Sequence, residues 1–202
     1  RDYFQRENLK RGLSEAKEND LILVSDLDEI PNLSGLKFEN IKNDIIIFEQ
    51  KMFYYKLNLY YEDFIWQGTK GTKFKNFKSP QWLRNIKGKK YSKWRLDVLL
   101  SKKKYSNLSF VKNGGWHFTC LRTPEELQKK LTNFAHHYEF EESGLNLEDI
   151  KTLIKEKRVM YDHNVDQKGY KWSGKSILKK VDLESLPEYI SLKENYYKEW
   201  LD

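Results

Sequence analysis

The chain is 202 residues long, 39% hydrophobic and 15% aromatic; this is enough apolar material for one domain with a core and excludes a disordered chain. Lys and Arg outnumber Asp and Glu by 37 to 30, a net charge of +7 that favours anionic partners such as nucleotide diphosphates, nucleic acid or an acidic membrane surface and is silent about fold. The single cysteine, Cys120, excludes an intrachain disulfide, and no run approaches the ~20 apolar residues of a membrane span.

In chain order, residues 3–17 are predicted to form a helix with Phe4, Leu9, Leu13 and Ala16 toward a sheet. After the turn Glu18-Asn19-Asp20 comes the apolar run Leu21-Ile22-Leu23-Val24. Its pattern is that of a strand buried on both faces in a parallel sheet, the second half of a βαβ unit whose first strand would precede Arg1. Ser25-Asp26-Leu27-Asp28-Glu29-Ile30-Pro31 then falls at the carboxyl end of that strand, the edge at which open α/β sheets bind ligands. Asp26 and Asp28, two apart, share one side if extended and can converge on a divalent cation. The bland counterpart is a solvated turn that caps a following helix. Against it, three carboxylates within four positions repel unless solvent or a cation screens them, and Pro31 fixes the exit of the chain while holding Ile30 extended.

A short helix is expected around 36–41, then a β-rich stretch over 45–59. Tyr54, Tyr55, Tyr60, Tyr61, Phe64 and Trp66 crowd its far end. They read as core, although aromatic rings are also the platforms on which sugar-binding clefts are built. Residues 70–104 carry thirteen Lys or Arg and one acid, Asp97, interleaved with Phe74, Phe77, Trp82, Tyr91 and Trp94 as in a nucleic-acid groove. No nucleic-acid motif accompanies them, so the segment reads as a basic flank for a diphosphate or an acidic acceptor. Ser79-Pro80 opens a short helix, with Ser as cap and Pro at its first position. Leu108–Val111 and 116–118 are strands separated by Asn113-Gly114-Gly115, a turn or a close backbone approach to ligand. Thr123-Pro124-Glu125-Glu126 is a capping box, followed by Leu127, Leu131 and Phe134 as a buried face, with His136 near the end of the helix. Asn146 caps another helix bearing Ile150, Leu153 and Ile154. Residues 158–180 are polar and irregular, and 191–201 form a short amphipathic helix. Neither an internal repeat nor a second domain is visible, so 1–202 reads as a single domain.

Val24-Ser25-Asp26-Leu27-Asp28-Glu29-Ile30-Pro31 resembles the metal-binding signature of glycosyltransferase family 17, the bisecting N-acetylglucosaminyltransferase family. Further matches follow in the family's order: Gln50, Tyr54-Tyr55 and Asn58; Trp66-Gln67-Gly68-Thr69; Gly114-Gly115-Trp116-His117-Phe118; and Phe134-Ala135-His136 with Glu139. Leu186-Pro187-Glu188-Tyr189-Ile190 is a weaker echo. Five short motifs in register carry more weight than any one of them.

The resemblance implies an α/β, GT-A-like (Rossmann-like) domain, here the C-terminal two-thirds of a catalytic domain and incomplete on its N-terminal side. On that basis the chain alone is expected to expose apolar surface and to lack turnover. The implied activity is a metal-dependent, inverting transfer of GlcNAc from UDP-GlcNAc to a glycan acceptor, as in N-linked glycosylation. Mn²⁺ or Mg²⁺ would be held by Asp26 and Asp28, with His117 completing the metal sphere, and would stabilise the charge on the departing diphosphate. Glu29, Gln50, Tyr55, Asn58, Trp66, Gly114, Gly115 and Trp116 are the implied substrate contacts. A carboxylate would deprotonate the acceptor hydroxyl; Glu49, Asp63, Asp97 and Glu139 are candidates, and Glu49, beside Gln50 on a strand, comes first. His136 matches a family position, which implies a structural role or one behind the metal ligands, while His137 and His163 read as surface residues. The lone cysteine and the lack of a signal or spanning segment favour the cytoplasm; a eukaryotic family member without its N-terminus would belong to the Golgi membrane. Two rivals stand beside this reading: a haloacid-dehalogenase-type phosphohydrolase with Asp26 as nucleophile, and a basic nucleic-acid-binding module, which leaves the acidic cluster unexplained.

Overall fold

The structure, a computed structural model, describes residues 2–37, 39, 41–133, 137–165, 169–172 and 174–202. It is an α/β chain with a mixed sheet. The chain begins with α1 (Asp2–Glu7) and a 3-10 turn (Asn8–Leu13), then β1 (Leu21–Val24), β2 (Glu29–Pro31), β3 (Ile45–Tyr54) and β4 (Leu59–Lys73). Helices α2 (Pro80–Asn85) and α3 (Leu96–Leu99) precede β5 (Leu108–Val111) and β6 (Gly115–Thr119). Then come α4 (Pro124–Thr132), α5 (His137–Ser143), α6 (Leu147–Lys155), β7 (Lys179–Lys180), α7 (Glu188–Ser191) and α8 (Glu194–Tyr197).

Two compact units share these elements: Arg1–Gln50 with Gln67–Gly115, and Lys51–Trp66 with Trp116–Asp202. The long strands β3 and β4 each run from one unit into the other.

In the first unit β4 pairs antiparallel with β1, Leu21 opposite Lys73 and Val24 opposite Lys70. β3 pairs parallel with β5, Ile45 opposite Leu108. The triple Ile45-Ile46-Ile47, stiff at χ1 and suited to a pleated surface, is buried at 0–1% exposure. Val24, Ile45, Ile47, Leu83, Ile86 and Leu108 form the core of this unit. Ser79 caps α2 as expected, its Oγ accepting from the Trp82 N–H at 3.1 Å with Pro80 at the first helical position.

In the second unit β6 runs parallel to β3, Lys51 opposite Trp116, and β7 antiparallel to β4. One core gathers Met52, Tyr54, Tyr55, Tyr61, Leu127 and Ile150, and another gathers Phe53, Phe118, Leu186 and Ile190. Both expected capping boxes form, Thr123 with Glu126 on α4 and Asn146 with Asp149 on α6, and each helix buries the residue its apolar stripe indicated, Leu127 and Ile150. Phe134 and His136 lie outside the described residues.

The structure corrects several expectations. β1 is antiparallel, and three of its four residues are only half-buried; among the described residues it pairs with β4 alone, so it does not complete a βαβ unit. A four-residue apolar run fixes neither direction nor depth in a sheet. The segment 3–17 is helical only to Glu7 and then tightens into the 3-10 turn, where residues three apart eclipse and a 3.6-residue stripe is lost. Phe4 and Leu9 accordingly point to solvent, 74% and 54% exposed. The expected helix over 36–41 lies partly outside the described residues. The segment 191–201 breaks into α8 and a final 3-10 turn. Within 158–180, Val159, Met160 and Leu178 are core residues at 1–3% exposure, despite the polar sequence around them.

Candidate functional site

Between β1 and β2 the acidic motif of the first unit makes a turn, so Asp26 and Asp28 do not lie on an extended strand. The Glu29 N–H donates to the Asp26 carbonyl at 3.1 Å, and the Asp26 N–H donates to Glu29 Oε2 at 3.0 Å, so the turn is closed by backbone and side chain together. Asp26 and Asp28 therefore differ in their surroundings: Asp26 is half-buried, whereas Asp28 is exposed beside a fully exposed Leu27. The repulsion expected among these carboxylates is relieved by arginine. Arg84 Nη2, on α2, lies 2.6 Å from Asp26 Oδ2 and 3.4 Å from Glu29 Oε1, and Arg6 Nη2 lies 3.7 Å from Asp26 Oδ1. Glu29 is 4% exposed, so its carboxylate braces the turn from inside.

Two further layers hold this arrangement. Ser25 Oγ and Thr69 Oγ1 lie 2.7 Å apart, and the fully buried Gln50 accepts from the Thr69 N–H at 3.3 Å while donating to Thr69 Oγ1 at 3.2 Å. Lys70 Nζ donates to the carbonyls of Arg84 and Ile86 at 2.7 and 2.5 Å, tying the end of α2 to β4. Burial, helped by the Arg84 charge, pushes the Lys70 ammonium down to about 8, against the opposite pull of Glu29 and Asp26. Arg6, Lys70 and Arg84 were not anticipated; their partners lie 14 to 58 positions away, which a motif of eight residues cannot reveal.

Gly114 and Gly115 sit beside this turn. A Cβ on Gly115 would lie 2.0 Å from the Ile30 carbonyl oxygen and 2.7 Å from the Asn32 nitrogen, and its φ of +128° suits glycine alone. A Cβ on Gly114 would meet the Val111 oxygen at 2.6 Å. The close approach read from the glycine pair is thus to the protein's own backbone, sealed by the Asn32 N–H donating to the Gly114 carbonyl at 2.9 Å. Glu49, on β3, accepts from Lys112 Nζ at 2.6 Å.

Tyr55, Asn58, Trp66, Trp116 and His117 lie in the second unit. The Tyr55 hydroxyl donates to the Arg158 carbonyl and accepts from the Met160 N–H, both at 3.1 Å, and burial raises its pKa strongly. Asn58 Oδ1 accepts from the Asp202 N–H at 2.8 Å, and Trp116 Nε1 donates to the Ser185 carbonyl at 2.7 Å. All three serve the packing of their own unit. His117 is 5% exposed and stacks on Trp66, ring centroids 4.5 Å apart and planes 11° apart.

A cavity of about 350 Å³ opens in this unit, lined by Tyr54, Cys120, Glu139, Tyr161, His163 and Trp172 among others. It falls at the lower end of the range of small-ligand pockets. Tyr161 and Trp172 meet edge to face at 5.2 Å, and Tyr54 Oη lies 2.6 Å from His163 Nε2. Burial first, then the His117 charge, pushes the His163 imidazole down to about 4, so the ring is neutral at pH 7. His163 is a lining group and not the surface residue its sequence context indicated; a histidine in a stretch without periodicity gives no signal of its burial. Glu139, one of the four carboxylates considered as base, lines the same cavity, while Asp97 is clamped between Arg95 and Lys104 at 2.8 and 2.5 Å.

Among the described residues no three His, Cys, Asp or Glu side chains are grouped as a ready metal centre. Mg²⁺ and Mn²⁺ bound with a substrate diphosphate need only one or two protein carboxylates, the phosphate oxygens and water completing the sphere. The carboxylates the turn offers for that role are Asp28, which is exposed, and Asp26, which Arg84 already holds. No helix among the described residues is long and apolar enough to cross a membrane. The chain matches no family model, no curated protein and no solved structure in the comparisons made.

Proposed function

We propose that this chain is a divalent-cation-dependent glycosyltransferase of the inverting type, moving a sugar from a nucleotide-sugar donor, GlcNAc from UDP-GlcNAc by family resemblance, to a glycan acceptor. The observation that carries the reading is the braced acidic turn at the end of β1, in which Arg84 and Arg6 lie against Asp26 and a second carboxylate, Asp28, is exposed two residues on. Carboxylate and guanidinium side by side suit a metal diphosphate, the first taking the cation and the second the phosphate oxygens. Mn²⁺ or Mg²⁺, when bound, supplies charge stabilisation for the leaving diphosphate. The chain's own residues divide the remaining work. Asp28 and Asp26 hold the cation, Arg84 and Arg6 orient the diphosphate, and Glu29, Gln50, Ser25 and Lys70 keep the turn in place. Glu49 takes the proton of the acceptor hydroxyl. The aromatic lining of the 350 Å³ cavity supports a sugar ligand, since pyranose C–H faces pack on rings such as Tyr161 and Trp172.

Calorimetry with Mn²⁺ and UDP tests the first part. Asp28→Asn is expected to weaken binding at least tenfold with the fold intact, because it removes an anionic ligand without changing volume; an unchanged affinity would remove the turn from the metal site. A panel of nucleotide sugars with Mn²⁺ tests the second part. Glu49→Gln should depress transfer and spare Mn²⁺ binding, whereas an unchanged rate would give the base role to Glu139. Formation of an aspartyl phosphate from acetyl phosphate would replace the whole reading with a phosphohydrolase that uses Asp26.

A further inference from the structure

The loop between α2 and β5 concentrates the charge of the molecule. Residues 87–104 hold eight cations, Lys87, Lys89, Lys90, Lys93, Arg95, Lys102, Lys103 and Lys104, and one acid, Asp97, a balance of 8 − 1 = +7 that equals the net charge of the entire chain. The other residues of the chain therefore sum to zero. Within the same loop Trp94, Leu96, Leu99 and Leu100 are 93%, 77%, 70% and 89% exposed. Four large apolar side chains in solvent within seven positions are unusual in a surface otherwise free to be polar.

The loop is fastened. The Lys87 N–H donates to the Lys103 carbonyl at 2.8 Å, and the Tyr91 N–H to the Tyr105 carbonyl at 3.4 Å. Trp82 Nε1 donates to the Tyr105 hydroxyl at 3.0 Å, and Val98, on α3, is buried. Asp97 is held by Arg95 and Lys104, which also lie over the Tyr91 ring, each at 5.7 Å. No described carboxylate pairs with Lys87, Lys89, Lys90, Lys93, Lys102 or Lys103.

We infer that the loop 87–104 docks on an anionic lipid bilayer, its lysines against the headgroups and Trp94, Leu96, Leu99 and Leu100 in the acyl boundary. Lysine clusters of this size bind anionic leaflets, and tryptophan settles at the membrane interface. Of the four exposed apolar residues only Trp94 offers a nucleic acid a ring to stack on, and the three leucines offer none. Lysine is depleted from the cores of protein–protein interfaces, which argues against a protein partner. The inference is independent of the proposed reaction.

The test is co-sedimentation of the chain with vesicles of phosphatidylcholine alone and of phosphatidylcholine with about 30% phosphatidylserine. Partition into the anionic vesicles that weakens with salt is expected. Lys→Gln at 89, 90, 102 or 103 should weaken it about fivefold per site, and the double variant Leu99→Ser/Leu100→Ser at least tenfold. All these side chains are exposed, so far-UV dichroism and the melting temperature serve as fold controls. Three outcomes overturn the inference. One is the absence of partition. Another is full binding by the double-serine variant together with competition by a single-stranded oligonucleotide, which marks a polyanion patch. The third is a wild-type dimer that the double-serine variant converts to monomer, which assigns the apolar residues to a second copy of the chain.

Discussion

At the residue scale, His163 is the group whose protonation the fold opposes most clearly. Its folded-state pKa of about 4 lies below the ordinary 6.5, so between those values the unfolded chain binds more protons than the folded one. The stability it contributes is complete above pH 6.5 and is lost as pH falls toward 4. The loss is expected to be about 1–3 kcal/mol, reduced from the full shift because the ring is only half-buried. Urea midpoints of wild type and His163→Phe between pH 7.5 and 4 will show it: the wild-type curve should fall more steeply, and parallel curves would mean that the ring is already solvated. Glu29 is another residue whose role its surroundings decide. Sequence placed it with the substrate contacts; burial and the Arg84 guanidinium make it part of the frame that holds Asp26 and Asp28 in their turn.

At the element scale, the junction of β5 and β6 is the feature on which the acidic turn rests. Val111 pairs with Phe48 and Trp116 with Lys51, so the four residues between Val111 and Trp116 lie opposite two on β3. The two extra residues are absorbed at Asn113-Gly114-Gly115, where Asn113 and Gly115 take φ of 50° and 128°. Gly115→Ala would drive a methyl group into the Ile30 carbonyl. A destabilisation of about 3 kcal/mol is expected in urea unfolding, with weaker Mn²⁺ binding as β2 is pushed away. A loss below about 1 kcal/mol would show that β2 yields freely. The helix caps were readable at this scale because Ser79, Thr123 and Asn146 each bond to a backbone N–H two or three residues on. The place of β1 was not readable, because an apolar quartet says nothing about which partner strand it meets.

At the scale of the whole molecule, charge is distributed so that one loop carries the net +7. The variant with Lys89, Lys90, Lys102 and Lys103 all changed to Gln has a net charge of 7 − 4 = +3. Its urea midpoint should match wild type to within about 0.5 kcal/mol, since these ammonium groups are exposed and pair with no described carboxylate. A clear destabilisation would mean that the loop's charges are structural and were wrongly set aside as a surface for partners. Among the described residues hydrophobic burial is shared instead among separate clusters, one in the first unit and two in the second, with β3 contributing to both units. By itself the sequence determined what depends on neighbours within about four positions: the caps, the apolar faces at Leu127 and Ile150, and the strand character of β3. Only the tertiary structure decided that Arg84 neutralises Asp26 from 58 positions away, that Tyr54 meets His163 from 109 away, and that the glycine pair makes room for a β2 carbonyl. Local hydrogen bonding is encoded in adjacent residues, whereas which distant side chains meet is settled by how strands pair and pack, and no short stretch of sequence contains that information.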